Sequence, residues 1–504
     1  MYFSSAYAQA SWTVPSHASL LSSRYAASHG AGGSPTTLEF RSPRPAPDLV
    51  SQLRAHGYAA DAYANTPYFD GRFGLTAHFD RAFVLPPVTD PLPSAADWLL
   101  ATASAPFVFA HTYAVHNYAD LQDGLPRRPD GRWRCPAVVD PFKRGSFALM
   151  RGRSALSCAE SRARYDRAAW CFDEALDRFV TRLKAEGLWD RALVAIVADH
   201  GESLCDGAAG RGARKGHGQL GHEEQLRVPW VLKLPGGRFG GRRVETPVEL
   251  IDAAPTILAA LGLPAPESFQ GRDRMPEAAG APGDPAAPVF AETDGGFAVR
   301  AGGWKLLWSP STGWRLHDLT RDPGETRDLS RKQEGKRLEL TAALHDHLAR
   351  QHGPWKVRVR GPRGRDTRLR LSFDAPIVHA APVFHEKGDG VSVATDAVNA
   401  TFVSQRDGDE DWLLVETSTP STRATLLVEI DGAPADASLI HTARGDAAGP
   451  QPWTVPPGAD AAAAPSAPRD GVTVWGLLDA TPVTRRIELP PALREALRRA
   501  GYAP

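Results

Sequence analysis

The stretch from Arg191 to Glu202, RALVAIVADHGE, decides the fold. Five apolar residues from Leu193 to Val197 read as a buried strand, and Asp199 and His200 leave it together at its C-terminal end. In open α/β sheets that edge is where ligand sites are built, so one short run proposes both an architecture and a place for chemistry.

Working outward, the same strand-like pattern recurs in AHGYAADAYA (55–64), APFVFAHTYAV (105–115) and VPWVLKLPG (228–236). Immediately upstream, Phe172, Leu176, Phe179 and Leu183 recur at helical spacing with Asp and Arg between them, which predicts a long amphipathic helix closing at Gly187. Strands alternating with helices predict an α/β domain whose central sheet is mostly parallel and flanked by helices. That domain is expected over 1–353, with 118–162, rich in Pro, Arg, Gly and Asp, as a lid or surface excursion. From 354 the pattern changes to short β-type stretches, RLRLSF (368–373), DWLLVET (411–417) and ATLLVEID (424–431). A small β-rich C-terminal unit over 354–504 follows, with an Ala/Pro-rich loop near 456–468 and a closing helix faced by Leu493, Ala496, Leu497 and Ala500. Trp412, Trp453 and Trp475 in that unit suit either a core or the stacking of sugar rings.

Composition narrows the class. The 504 residues are 42% hydrophobic and 23% charged, with 58 basic and 58 acidic side chains. A globular chain with no net charge has no general field for nucleic acid, so an anionic substrate must be held locally. Cys135, Cys158, Cys171 and Cys205 show neither zinc-ribbon nor redox spacing. No apolar run approaches the roughly 20 residues of a membrane span, and the opening MYFSSAYAQA has no signal-peptide pattern; localisation and oligomeric state are not encoded in any of these features.

Three groups carry chemistry. Asp199 and His200 offer an oxygen and an imidazole suited to Ca²⁺, Mg²⁺, Mn²⁺ or Zn²⁺, according to the remaining ligands. Lys215, His217 and His222 follow in a Gly-rich loop able to return a cation and imidazoles over that metal. In SWTVPSHASLL (11–21), Pro15 and Ser16 mark a helix start, so Thr13 stands just before a helix N-terminus, where free N–H groups favour an attacking oxyanion and a bound anion. Taken alone, Thr13 and Ser16 read first as helix caps, the commoner use of such residues.

Together these stretches resemble the sulfatase family of the alkaline phosphatase superfamily. TVPSHASLLSSRY (13–25) is similar to its C/S/T-x-P-S-R/H signature, VADHGE (197–202) to its second metal motif, and HGQLGHEEQLRVPWVLKLPG (217–236) to its H-G-x-x-L-Y-E-E-x-x-R-V-P stretch. VELIDAAPTILAALGLPAPESFQG (248–271), WKLLW (304–308) and LHDLTRDPGETRDLS (316–330) extend the likeness over roughly 2–350. The resemblance implies metal-dependent hydrolysis of sulfate or phosphate esters, small or polysaccharide. Thr13 would attack, Asp199, His200 and Thr13 would hold a divalent metal, and His116 of HTYAVHNY (111–118) and His217 would serve as catalytic histidines. Lys215 and His217 are the candidates for an anion clamp, His17 is expected to bind substrate, and Asn65 stands where another substrate contact is expected.

Departures from the family sharpen these expectations. Formylglycine maturation needs Cys or Ser at the first signature position and normally Arg at the fifth, whereas Thr13 and His17 stand here, so threonine is expected to act directly as an alkoxide. The family's opening strand, which brings two aspartates to the metal, has no counterpart before Phe3, and a true start upstream of Met1 is expected. The alternatives are a phosphoglycerol- or phosphoethanolamine-type transferase, and a non-catalytic descendant that binds anions or polysaccharide.

Overall fold

The computed structural model describes residues 1–34, 38–86, 89–116, 118, 135, 156–205, 215–218, 221–293, 296–360, 364–384, 390–403, 410–419, 421, 423–442, 445–446, 448–449, 451–456, 470–476 and 485–499. The expected lid at 118–162 lies largely outside them.

The site-bearing part is built from β1 (Tyr2–Tyr7), α1 (Thr13–Ser22), β2 (Ala59–Ala64), β3 (Arg81–Val84), α2 (Pro91–Ala101), β4 (Pro106–His111), α3 (Cys158–Ala185), β5 (Val194–Val197), β6 (Ser203–Leu204), β7 (Lys215–Gly216) and β8 (Arg227–Lys233). Strand β2 lies between β3 and β4, parallel to both, with Ala64 level with His111. A second sheet runs β5, β8, β1, with β8 antiparallel to each neighbour and β1 also parallel to Arg243–Val244 and Val248–Glu249. Among the described residues β4 and β5 each pair along one edge.

Strand β1 went unread in the sequence because YFSSAY is short and half polar. Its pairing explains it: Phe3 is fully buried and stacks on Trp230 of β8, ring centroids 4.1 Å apart. The long helix α3 opens on a reciprocal cap, Ser157 Oγ accepting from the Glu160 N–H while the Glu160 carboxylate accepts from the Ser157 N–H. It ends before Gly187, whose φ of 69° fits a residue without Cβ. Leu183 is buried, while Phe172, Leu176 and Phe179 are only half covered. All four cysteines are paired, Cys135 with Cys171 and Cys158 with Cys205, so α3 is tied to the segment that follows Asp199.

A four-stranded antiparallel meander follows, from Val289–Thr293 to Gly313–Asp318, backed by the helix Glu334–Ala349 through Leu340, Leu344 and Leu348. Beyond it two antiparallel-rich sheets pack face to face around Trp355, Val357, Leu371, Val415, Val428 and Val474. Period-two alternation in RLRLSF and ATLLVEID supplies those inward side chains. Trp412, Trp453 and Trp475 are all buried, which makes them packing aromatics rather than stacking platforms for sugars. The terminal helix Pro491–Arg499 leaves this sandwich and sets Leu497 among Trp12, Tyr68, Phe73 and Tyr113, behind the start of α1.

Candidate active site

Helix α1 begins at Thr13 itself, with Trp12 as its N-cap and no side chain capping it. Expectation and structure differ by one residue, and the difference bears on chemistry. Neither hydroxyl is used as a cap: Ser16 Oγ donates to the Asp199 carbonyl at 2.5 Å. Thr13 is buried in the first turn, where free N–H groups and the positive end of the helix gather.

His17, one turn on, is 2% exposed. Its Nδ1 lies 2.8 Å from the Thr13 carbonyl and 3.4 Å from Asp199 Oδ2. The signature helix and the end of β5 are thereby locked to each other by two contacts. Gly201 completes that junction: its N–H donates to the Gln225 carbonyl at 2.8 Å, and a Cβ there would stand 2.1 Å from the Glu224 carbonyl oxygen. The glycine of the DHG string is thus required by close backbone approach.

Around Asp199 stands a group of imidazoles. His200 Nε2 is 3.5 Å from Asp199 Oδ2, while its Nδ1 is held at 2.9 Å by the Gly201 carbonyl. His200 and His217 rings are 4.3 Å apart, His217 and His116 5.1 Å, and His116 stacks on Tyr113 at 4.3 Å. His217 Nδ1 lies 2.6 Å from Glu202 Oε2, and the Tyr118 hydroxyl donates to Glu202 Oε1 at 3.2 Å. His111, at the C-terminal end of β4, packs its ring 4.9 Å from that of His17.

Burial governs the charges. It would raise the Asp199 carboxyl, but His200, His17, His111 and His217 hold it well below the usual carboxylate range. Burial takes His217 down to about 4, against the pull of Asp199, and His111 down to about 3, helped by His17. His17 and His200 are lowered by the same desolvation, opposed by Asp199. Glu202 is pushed up to about 7 by burial, against His116, His200 and the Tyr118 hydrogen bond. The result is one firm anion among neutral imidazoles, the protonation states that metal ligation requires.

One carboxylate oxygen of Asp199 is buried without accepting a hydrogen bond, and His111 Nδ1 is likewise without a partner. Such orphaned atoms carry a desolvation cost that a bound cation would relieve, so the donor set fits a divalent metal.

Of the residues expected from the sequence, the structure gathers Thr13, His17, Asp199, His200, His217 and His116 at one place. It sets Asn65 apart in role: Asn65 Oδ1 accepts from the Tyr113 N–H at 2.8 Å and Nδ2 donates to the Thr89 carbonyl at 3.2 Å, so its amide braces the ends of β2 and β4. Lys215 pairs with Leu204 in the β6–β7 ladder, and its side chain lies outside the described residues. His222, weighed as a ligand, faces Glu325 at 3.2 Å. His111 and Glu202 were missed as site residues, although both stand inside quoted motifs: strand-end position was the available signal for the first, and proximity to Asp199 for the second.

The family model described as Sulfatase matches residues 1–263. The chain is 34% identical to a multifunctional alkaline phosphatase superfamily protein from Trinickia caryophylli, over 31% of this chain and 30% of that protein. It is 27% identical to an ulvan-active sulfatase from Formosa agariphila, over 50% of this chain and 47% of the relative. The chain thus spans about half or less of the length of these curated relatives. The solved structure of a 2-O GAG sulfatase superposes with a TM-score of 0.54 at 18% identity, covering 69% of this chain and 84% of that one, which is a likeness of fold. With a family match over more than half its length, this chain belongs to the sulfatase family.

Proposed function

We propose that the protein hydrolyses sulfate or phosphate esters with Thr13 as the direct nucleophile. The observation that carries this reading is the junction of the uncapped start of α1 with Asp199, made by Ser16 Oγ and by His17 at 3.4 Å. Ser16 and His17, which contact Asp199, lie about one helical turn from Thr13, and this supports the reading.

In the proposed reaction the Thr13 hydroxyl gives its proton to a neutral histidine, His217 or His116, as its oxygen forms a bond to sulfur or phosphorus and the bond to the leaving oxygen breaks in line with it. The helix N–H groups favour both the oxyanion of Thr13 and the anionic ester. The histidine that took the Thr13 proton passes it to the leaving oxygen, and water then cleaves the threonine ester, releasing sulfate or phosphate and restoring the hydroxyl. A divalent metal at Asp199, beside His200 and Thr13, would lower the hydroxyl's pKa and neutralise developing charge. His217 is aimed by Glu202, whose carboxylate fixes the proton on Nδ1 and leaves Nε2 for proton transfer.

The test is turnover of 4-nitrophenyl sulfate, 4-nitrophenyl phosphate and an aryl phosphonate monoester, each with Zn²⁺, Mn²⁺, Mg²⁺ or Ca²⁺. At least one ester should turn over, and Thr13→Ala should lower kcat by about 10³-fold or more at unchanged melting temperature. No turnover of any ester with any ion, or full activity in Thr13→Ala, would remove Thr13 hydrolysis as the function.

A further inference from the structure

The geometry points to a metal centre made of His17, His111 and Asp199, selective for zinc-like ions. One nitrogen from each imidazole and one Asp199 oxygen lie within 4.8 Å of one another, a grouping that neither motif reading nor pairwise spacing suggests. The three come from different elements: the first turns of α1, the C-terminal end of β4, and the segment after β5. His200, the neighbour of Asp199 in the chain, is not in the trio, and its ring lies against His217.

Three further features fit ligation. His111 Nδ1 and Asp199 Oδ2 are buried without a hydrogen bond. The Thr13 carbonyl can only accept, so His17 carries its proton on Nδ1, 2.8 Å away, which leaves its other ring nitrogen with a lone pair. Phe69 and Phe109 press edge-on against the His17 ring, centroids 5.2 and 5.9 Å away, which restricts its rotation. Ligands around a tetrahedral zinc with bonds of about 2.0–2.1 Å stand about 3.4 Å apart, so the trio closes by up to about 1.5 Å, a side-chain adjustment.

Two imidazoles and one carboxylate suit Zn²⁺ or Co²⁺. Ca²⁺ and Mg²⁺ favour shells of six or more oxygens, which this trio does not offer. The use of this metal in catalysis rests on the hydrolase reading above, whereas its binding is measured without turnover.

The experiment is calorimetric titration of chelator-treated full-length protein with Zn²⁺, Co²⁺, Mg²⁺ and Ca²⁺, together with the visible absorption of the Co²⁺ form. One equivalent of Zn²⁺ or Co²⁺ should bind, with Mg²⁺ and Ca²⁺ at least about 100-fold weaker. His17→Ala and His111→Ala should each weaken Zn²⁺ by about 100-fold or more, and by more than His200→Ala does. His111→Gln replaces His111→Ala if the latter melts early, and it should shift the Co²⁺ bands by removing a nitrogen donor. Equal affinity for Ca²⁺, or loss of Zn²⁺ in His200→Ala with His111 variants silent, would overturn the assignment. Zn²⁺ bound through His17 and His111 in a protein that turns over no ester would leave the metal centre standing and remove the hydrolase reading instead.

Discussion

Glu202 and Gly201 show how much of the site is decided one side chain at a time. Gly201 allows β5 to end against the backbone of residues 224–225, where any Cβ would collide with a carbonyl. Glu202, next in the chain, is thereby turned toward His217 and meets it at 2.6 Å. If its work is to fix the His217 tautomer, Glu202→Gln should lower kcat by about 10²-fold with KM within twofold, since an amide keeps the volume but not the anionic acceptor. Steady-state kinetics decide this, and an equal rise in KM would instead make Glu202 part of substrate binding. Ser16 is a second case: a residue whose commonest use is to cap a helix spends its hydroxyl on the Asp199 carbonyl.

At the scale of elements, the question is what holds the segment after β5 in place. It leaves the strand, turns at Cys205 with a φ of 70°, and is bolted by Cys158 to the first turn of α3. The described part of that helix buries few apolar side chains, among them Ala168 and Leu183, so the covalent tie carries an unusual share of its attachment. A disulfide closing a loop of this size contributes about 2–4 kcal/mol. Cys158→Ala with Cys205→Ala should therefore lower the unfolding free energy by that amount in denaturant titration and increase hydrogen exchange around 199–205. Unreduced protein in denaturant should show no thiol to Ellman's reagent, and four after reduction. Spacing had excluded zinc and redox motifs, but pairing depends on which segments the fold brings together.

For the whole molecule, the sandwich is joined to the site-bearing part through polar contacts that are almost completely enclosed. Arg44 meets Glu416 at 3.3 Å, the Trp475 indole N–H donates to the Ala349 carbonyl at 3.2 Å, and Lys356 Nζ donates to the Gln351 and Pro354 carbonyls at 2.6 and 3.2 Å. Burial, with Arg44 nearby, lowers the Lys356 amine from 10.5 to about 7, against Glu292 and Glu416. Between those values the unfolded chain keeps a proton that the folded side chain has released, so this site's contribution to stability rises with pH across the window from about 7 to 10.5. Melting measured from pH 6 to 10 should show a shallower pH dependence in Lys356→Met than in the wild type, with the greatest stabilisation of the variant at the acid end. Parallel curves would mean that the amine stays charged at the seam.

What the sequence by itself determined is local or periodic. Alternating apolar stretches announced the α/β part and the β-rich tail, helical spacing announced α3, and ordered motifs announced the sulfatase family and offered Thr13, Asp199, His200, His116 and His217 as candidates. Each of these is legible because it depends on neighbours a few residues away. What only the tertiary structure decided is convergence: the strand at Tyr2–Tyr7, the bracing role of Asn65, the burial of Trp412, Trp453 and Trp475, and the meeting of His17, His111 and Asp199. These depend on contacts across tens to hundreds of residues, where position is fixed by packing of whole elements and no local preference reports it.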